Sequence, residues 1–572
     1  MVPRQSLARQ CSLGMRIRRL VQAGCRQTFL CPNNRDQSQL SKGFVGCIVL
    51  AAGLGAAALG RYCFPYFAFD PDTAAYLFQA KLMAEGVLAA SAPPDFGFSP
   101  SPHINIYNGL WFSKYPFGTS LFLVPGVLVG VPWLMPAVAT ALTLWLFFAI
   151  VRELFDTRVA SVALLFSLIS PTTLLIGGSL LSQPVSKLCV AIYLYCVIKL
   201  VDDAGRGARV LFAALAGMAL GYGFNTRPLV AVVFGVAGTG LLIFKLMQKP
   251  DKAAFVLPVL VMVTTGLIML GLFFAWNAYL TGDPWLFTYN ALQRADRMGF
   301  GVRGEGYAPF VHDFRIHFTP AYAFGRIFWH TLPAVFLNTL GWGGYDPSMF
   351  FPSDPWHRFP WLAPVLLIPI FLTVLPLRPK SRTFADVFCA SIFLLTLFAL
   401  FFQYSDHSSW GATPLHTAYY NEATLFGLIP LLARGTLLCI DAAPRWLGNY
   451  SGPLLTIVAV VLFLNSVVTN REFAGQFRNW DPYYQELPRL VASGEIHDAV
   501  VFVPHSRNAP VGEFPFKSLE DADVVYFRLG PLPQWGLNET DWRRPYSRYF
   551  ADRNAYIFDG QTLEKLNVED AY

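Results

Sequence analysis

The sequence predicts an all-α polytopic membrane protein of about 11 transmembrane helices, with a small C-terminal α/β domain outside the membrane. Three observations predict it. The chain of 572 residues is 54% hydrophobic and only 14% charged, whereas a soluble globular chain carries about 25% charged residues. The deficit comes from repeated apolar runs of roughly 18–20 residues, the length needed to cross ~30 Å of hydrocarbon. Lys and Arg then concentrate in short loops beside those runs, which is the positive-inside pattern.

That placement also disposes of nucleic acid as the meaning of the net charge of +7. The nine cysteines are equally unremarkable in position. Cys11, Cys25 and Cys31 lie in the leader, Cys47, Cys189, Cys196, Cys389 and Cys439 in or at the edges of apolar runs, and Cys63 just beyond one. No disulfide framework or zinc spacing follows.

Residues 1–42 form a basic leader, with Arg4, Arg9, Arg16, Arg18, Arg19, Arg26, Arg35 and Lys42 against one acid, Asp36. The leader is too long for a signal peptide, and the next apolar run is long enough to span, so an uncleaved first span with a cytoplasmic N-terminus is expected. Spans are expected at 43–61, 133–151, 159–177, 185–201, 208–225, 228–246, 253–279, 360–377, 384–402, 421–440 and 451–469, making residues 43–469 a transmembrane domain. With this count the loops holding Arg152/Arg158, Arg206/Arg209, Lys245/Lys249/Lys252, Arg378/Lys380/Arg382 and Arg434/Arg445 all face the cytoplasm. Two short apolar stretches broken by Gly or Pro, 117–131 and 327–341, are expected to be interfacial or re-entrant.

The opposite face carries the long segments 62–132, 280–359 and 470–572, and loops of that length are usually functional. All nine histidines lie in them or in the 403–420 loop. Strand-like runs Ala499–Val503, Val524–Leu529 and Ala555–Phe558, with a helix-like Tyr483–Ala492, predict a small extracytoplasmic α/β domain over 470–572. It has no glycine-rich phosphate loop and is expected to be non-catalytic.

Chemistry-bearing residues gather on that outer face. Asp70 and Asp72 follow the first span, and a helix-like segment with Tyr76 on one face begins at Thr73. Asp72 is either the cap of that helix or a general base at the membrane surface. Lys114, followed by Tyr115, lies where the chain returns to the bilayer; it either holds a phosphate as a point charge or snorkels as an anchor. Arg227 occupies a very short turn between apolar runs, where an unpaired guanidinium is costly; it either pairs with an anionic lipid head or an acid such as Asp72, or snorkels. Arg294, Asp296 and Arg297 suit binding of a sugar or phosphate, or else a salt-bridged loop. Tyr420 and Glu422 open a span at the outer face, where Glu422 either faces a cavity or complements the helix dipole. No cofactor is assigned: His312 and His317, or His407 and His416, are poorly spaced for a metal, and a divalent ion stays an open alternative.

Taken in order, these residues resemble the GT-C integral-membrane glycosyltransferases, in the bacterial branch related to protein O-mannosyltransferases and lipid A aminoarabinose transferases. The resemblance rests on Asp72 with Tyr76, Gln79-Ala80, Lys114-Tyr115-Pro116-Phe117-Gly118, Arg152-Glu153-Leu154-Phe155, Ser170-Pro171, Leu181-Ser182-Gln183-Pro184, Thr226-Arg227-Pro228, and Thr281-Gly282-Asp283-Pro284 leading to Gly299-Phe300-Gly301. It implies a first-loop acid as base, with Asp72 at that position, Lys114 as a phosphate contact, and inverting transfer from a polyprenyl-phosphate sugar to a lipid, glycan or protein acceptor. The family often has Asp-Glu where this chain has Asp72-Thr73 with Asp70 two residues before, so the division of labour between the two aspartates is open. It further implies a bacterial inner membrane with the site on its periplasmic face. The competing classes are a lipid-linked sugar transporter, for which repeats, broken midplane helices and intramembrane charges are expected but not seen, and a non-catalytic scaffold.

Overall fold

A computed structural model describes residues 42–571 apart from 65–69, 99–102, 203–204, 293–296, 304–315, 340–361, 404–418, 479–482, 505–521, 531–540 and 559–561. The leader expected over 1–42 lies, but for its last residue, outside the described residues.

The chain opens with α1 (Lys42–Cys63) and the short α2 (Pro71–Ala84). A three-stranded antiparallel sheet follows, β1 (Ala90–Ser91), β2 (Ile104–Tyr107) and β3 (Leu110–Ser113), with β3 in the middle. Next come α3 (Gly118–Leu128), α4 (Leu134–Leu154), α5 (Thr157–Ile169), α6 (Pro171–Gly177), α7 (Gln183–Val201), α8 (Arg206–Phe224), α9 (Pro228–Met247), α10 (Val256–Thr281) and α11 (Thr288–Leu292). A two-stranded ribbon of β4 (Gly301–Arg303) and β5 (Ile316–Phe318) leads to α12 (Pro320–Gly325), a π-helical turn at Arg326–Thr331, α13 (Leu332–Thr339), α14 (Leu362–Val374) and α15 (Phe384–Phe401). The one-turn α16 (Asn421–Ala423) runs through a π-helical segment, Thr424–Leu428, into α17 (Ile429–Leu447), and α18 (Ser451–Arg478) leads out. Beyond it lie α19 (Tyr483–Ala492), β6 (Ala499–Pro504), β7 (Val524–Leu529), α20 (Arg543–Tyr549), β8 (Asn554–Phe558) and β9 (Leu563–Lys565).

Among the described residues 8 helices are long and apolar enough to cross a membrane, or 9 if α5 and α6 are one bent span. The protein is an integral membrane protein. The expected count of about 11 includes segments that lie partly outside the described residues. The expected span 159–177 bends by 60° between α5 and α6, because Pro171 supplies no backbone N–H and Ser170 before it is extended. The expected span 360–377 contains α14, described from Leu362, and begins outside the described residues. The expected span 451–469 lies within α18, whose 28 residues are long enough to cross and part of whose side chains lie outside the described residues. Of the two stretches read as interfacial, 117–131 forms α3, whose 11 residues reach about 17 Å and do not span; 327–341 forms the π turn and α13 as far as it is described.

Small residues let the helices approach closely, as expected where lipid removes the hydrophobic drive. A Cβ on Gly217 of α8 would stand 2.1 Å from the Met262 carbonyl oxygen of α10, and one on Gly60 of α1 would stand 2.2 Å from the Gly178 carbonyl oxygen after α6. The apolar core runs through the bundle from α4 to α17 and includes Phe147, Leu194, Phe234 and Leu432.

The two ends of the bundle differ in character. At one end Lys199 of α7 pairs with Glu153 of α4 at 2.8 Å and with Asp202 at 3.1 Å, Lys245 of α9 lies 3.8 Å from Asp202, and Arg434 of α17 pairs with Asp386 of α15 at 3.1 Å. The opposite end carries α2, the first sheet and the turns that begin α7 and α9.

The C-terminal α/β expectation is met in its elements. The runs at 499–503, 524–529 and 555–558 form β6, β7 and β8 of a four-stranded sheet ordered β7-β6-β8-β9, parallel except at β9. One face packs Val501, Val503 and Val524 against Leu487 and Leu490 of α19. The other receives Phe98 from the segment between α2 and β2, whose ring lies 5.1 Å from Phe527, 5.5 Å from Tyr549 and 5.7 Å from Phe550.

Candidate functional site

Local chemistry explains how the segment after α1 is shaped. Asp70, not Asp72, is the cap of α2: its carboxylate accepts from the Thr73 N–H at 2.7 Å and the Thr73 hydroxyl at 2.7 Å, and Thr73 reciprocates in a capping box. Pro71 pre-sets the first helical turn. The capping alternative for Asp72 is therefore set aside, and its carboxylate is left for other partners.

Those partners arrive on the β2–β3 hairpin. Tyr107 pairs with Leu110 across a two-residue Asn108-Gly109 turn, and both turn residues have positive φ, 50° and 75°, as the favoured hairpin turn requires. The register pairs Ile104 with Ser113, and the Lys114 N–H donates to the His103 carbonyl at 2.9 Å. The open end of the hairpin thus sets His103 beside Lys114 and Tyr115. His103 Nδ1 lies 2.8 Å from Asp72 Oδ1, the Tyr115 hydroxyl donates to the same oxygen, and the Tyr115 hydroxyl lies 3.1 Å from His103 Nδ1. Asp72 Oδ2 makes no hydrogen bond among the described residues, and the side chain is 34% exposed.

The two aspartates are driven apart electrostatically. Burial would raise Asp72, but the hydrogen bond and charge of His103, the Lys114 charge and the Tyr115 hydroxyl outweigh it and hold Asp72 well below the usual carboxylate range. Burial, then the Asp72 charge, push Asp70 up to about 7. Burial and the Asp72 charge also raise Tyr115 and Tyr76 well above the ordinary phenol value, so both are neutral donors.

Lys114 is buried, its ammonium 5.2 Å from the centre of the Tyr115 ring and 5.9 Å from that of Tyr289. Thr288 of α11 donates to the Lys114 carbonyl at 2.7 Å, and Tyr289 meets Tyr115 edge-on at 5.2 Å. Tyr76 stacks on Tyr115 at 4.5 Å and hydrogen-bonds Ser182 before α7. Ser182 accepts from Arg227 at 3.4 Å. Arg227 lies 3.7 Å from Glu422 and 5.5 Å from the Tyr419 ring centre. The sequence-predicted residues Asp72, Tyr76, Lys114, Tyr115, Arg227 and Glu422 are thereby joined in one polar cluster at one end of the bundle.

Other expectations fall elsewhere. Arg294 and Asp296 lie outside the described residues, as do His312, His407 and His416, while Arg297 is exposed. Tyr420 is buried but hydrogen-bonds Thr331 on the side of Arg326; its neighbour Tyr419 is the one beside Arg227. Among the described residues no three His, Cys, Asp or Glu side chains stand together as a metal site.

Sequence reasoning missed His103, Tyr289 and Lys187, and gave Ser182 only as part of a motif. Lys187 belongs to α7, a span, and is 1% exposed, which corrects the reading that the spans hold no charge. An intramembrane lysine is a functional signal in its own right, and Lys187 was visible as one. It lies four residues into the helix, about 6 Å from its start, on the side of the cluster and away from the midplane.

No family model and no curated protein sequence matches this chain. Solved structures do. ArnT from Cupriavidus metallidurans bound to undecaprenyl phosphate superposes with a TM-score of 0.53 at 13% identity, over 90% of this chain and 93% of that one. The same protein in its apo state gives 0.51 at 12% identity, over 91% and 93%. The archaeal oligosaccharyltransferase AglB from Archaeoglobus fulgidus, in complex with an inhibitory peptide and a dolichol-phosphate, gives 0.47 at 12% identity, over 85% and 65%.

Proposed function

We propose that this chain, which carries the GT-C fold, is a membrane glycosyltransferase that moves a sugar from a polyprenyl-phosphate donor to an acceptor outside the cytoplasm. The observation that carries the reading is the Asp72 carboxylate, kept ionised and set beside the buried Lys114, with Arg227 reached through Tyr115, Tyr76 and Ser182. The fold match to a protein solved with undecaprenyl phosphate supports the donor class.

The chemistry is a direct displacement. The acceptor hydroxyl oxygen attacks the anomeric carbon, and the bond from that carbon to the phosphate oxygen breaks with inversion. Asp72 Oδ2 takes the acceptor proton, while Oδ1 stays anchored by His103 and Tyr115. A carboxylate held this far down the pH scale is a weak base, so proton transfer comes late, as positive charge grows on the attacking oxygen. The leaving phosphate carries away the electron pair and meets the fixed charges of Lys114 and Arg227, which need no reorganisation. Asp70 caps α2 and holds Asp72 in place. Tyr76 and Tyr115 form the aromatic wall between base and cation. The surroundings are a bacterial inner membrane with the site on the periplasmic face, where a nucleotide sugar is absent and the donor must be lipid-linked. The acceptor is a lipid, glycan or protein.

The test is incubation of the purified protein with undecaprenyl-phosphate sugars and candidate acceptors, followed by mass spectrometry. Glycosylated acceptor formed by the native protein and lost in Asp72→Asn is the expected result. Movement of the donor across a vesicle membrane with no product would favour a transporter and overturn the reading.

A further inference from the structure

We infer that Gln183, Lys187 and Glu422 form a subsite for the hydroxyl groups of the transferred sugar. The inference rests on the transfer reading above and extends it to residues that neither phosphate contact nor base accounts for.

Gln183 and Lys187 stand four residues apart at the start of α7, so their side chains share one face of the helix. Glu422, in α16, lies on an element packed against α7, 3.7 Å from Arg227. All three are at least nine-tenths buried. None is satisfied. Both carboxylate oxygens of Glu422 and the amide oxygen of Gln183 are buried without a hydrogen bond, and among the described residues Lys187 makes neither a hydrogen bond nor an ion pair. Buried polar groups are normally paired, and leaving one unpaired is costly. Several in one place mark a space built for a polar occupant.

The chemistry of the vacancies selects that occupant. Three oxygens ask for donors, and one ammonium asks for an acceptor. An acyl chain supplies neither. A phosphate supplies acceptors only and would be repelled by Glu422. Adjacent sugar hydroxyls supply both, because each O–H donates and each oxygen accepts. The location agrees. Tyr76, whose hydroxyl bonds Ser182 next to Gln183, stacks on the ring that bonds Asp72. The subsite is therefore one aromatic layer from the proposed base, on the side of Arg227.

The test compares binding of undecaprenyl phosphate with binding of undecaprenyl-phosphate glucose, mannose, galactose and arabinose to the full-length protein in detergent, for the native chain, Lys187→Met and Gln183→Leu. The expected result is that both variants bind bare undecaprenyl phosphate within about twofold of native and lose at least about tenfold in affinity for whichever sugar-bearing lipid the native chain prefers. Equal loss for both lipids, or no loss for either, overturns the subsite and leaves ordered water as its occupant. A native protein that binds neither lipid fails the transfer reading separately. Saturation-transfer NMR with the methyl glycosides of the same sugars then decides the subsite alone: signal lost in both variants supports it, and signal unchanged or absent throughout overturns it.

Discussion

Asp72 and His103 are 31 positions apart in sequence and 2.8 Å apart in space, joined through Oδ1 and Nδ1. The hairpin that closes this gap also delivers Tyr115 to the same carboxylate oxygen, so one oxygen is tethered twice and the other is left for chemistry.

The two aspartates should separate cleanly on substitution. Asp72→Asn keeps the side chain's size and should fold, bind donor and lose about 10²–10⁴-fold in transfer rate. Asp70→Ala should cost about 1 kcal/mol of stability as a lost cap, with a far smaller effect on rate. Asp70→Asn adds a pH signature. A carboxyl raised from an ordinary value near 4 to about 7 in the folded state favours folding while protonated, and that advantage drains away as pH rises through this interval. The melting temperature of Asp70→Asn should therefore gain on native between pH 4 and pH 8, about the reverse of ordinary acid denaturation. A constant difference across this range would refute the coupling.

Lys114→Ala and Arg227→Ala should each weaken binding of undecaprenyl phosphate by about thirtyfold or more, since truncating a buried charge contact typically costs 2–5 kcal/mol. Arg227→Ala also strands Glu422, which is 1% exposed, and should lower stability by about 3–5 kcal/mol. Adding Glu422→Gln removes the stranded charge. The double variant should recover stability but not affinity, as read by thermal melting and by lipid titration in parallel.

Gly178→Ala should destabilise the junction of α1 with the bend after α6, because its Cβ would stand 2.2 Å from the Ala56 carbonyl oxygen. A clash with backbone cannot be relieved by a rotamer change, so a loss of about 1–3 kcal/mol is expected. Gly205→Ala, with open space around it, is the control and should melt like the native protein.

Topology is testable directly. Ser381→Cys and Gly205→Cys should resist a membrane-impermeant maleimide in intact cells, while Asn567→Cys should react. Labelling of Ser381→Cys from outside would invert the proposed orientation.

Phe98→Ala should loosen the segment between α2 and β2 from the C-terminal sheet, at a cost of about 3–5 kcal/mol if the contact is rigid. Limited proteolysis should then release the sheet, while affinity for undecaprenyl phosphate changes little. Transfer should fall more than donor binding, because the cluster proposed to hold the donor phosphate lies outside residues 470–572. Loss of donor binding in a variant that still folds would contradict this.

Much of this was legible in the sequence because membranes impose simple rules. Long apolar runs and basic loops located α1, α4, α7, α8, α9 and α15 to within a few residues. The failures are local. Ser170-Pro171 reads as an interruption that hydropathy averages over. At the site, Asp72, Lys114 and Arg227 stood out as charges at a membrane boundary, where solvation makes them conspicuous. His103 did not, since a lone histidine in a loop gains meaning only from the hairpin register that folds it onto Asp72. The cap went to Asp70 because Thr73, not a Glu or Gln, completes the capping box, a pattern easily passed over beside a second aspartate.

The lodging of Phe98 in the C-terminal sheet bears on how such proteins could be recombined. A Cβ on the preceding Gly97 would meet the Phe527 ring at 2.2 Å, so loop and sheet fit as a matched pair five residues upstream of His103. A chimera that exchanges residues 479–572 for another sequence should fail unless residues 95–103 travel with them. Diversification of the outer module is then constrained to proceed by paired inheritance of two segments distant in the gene.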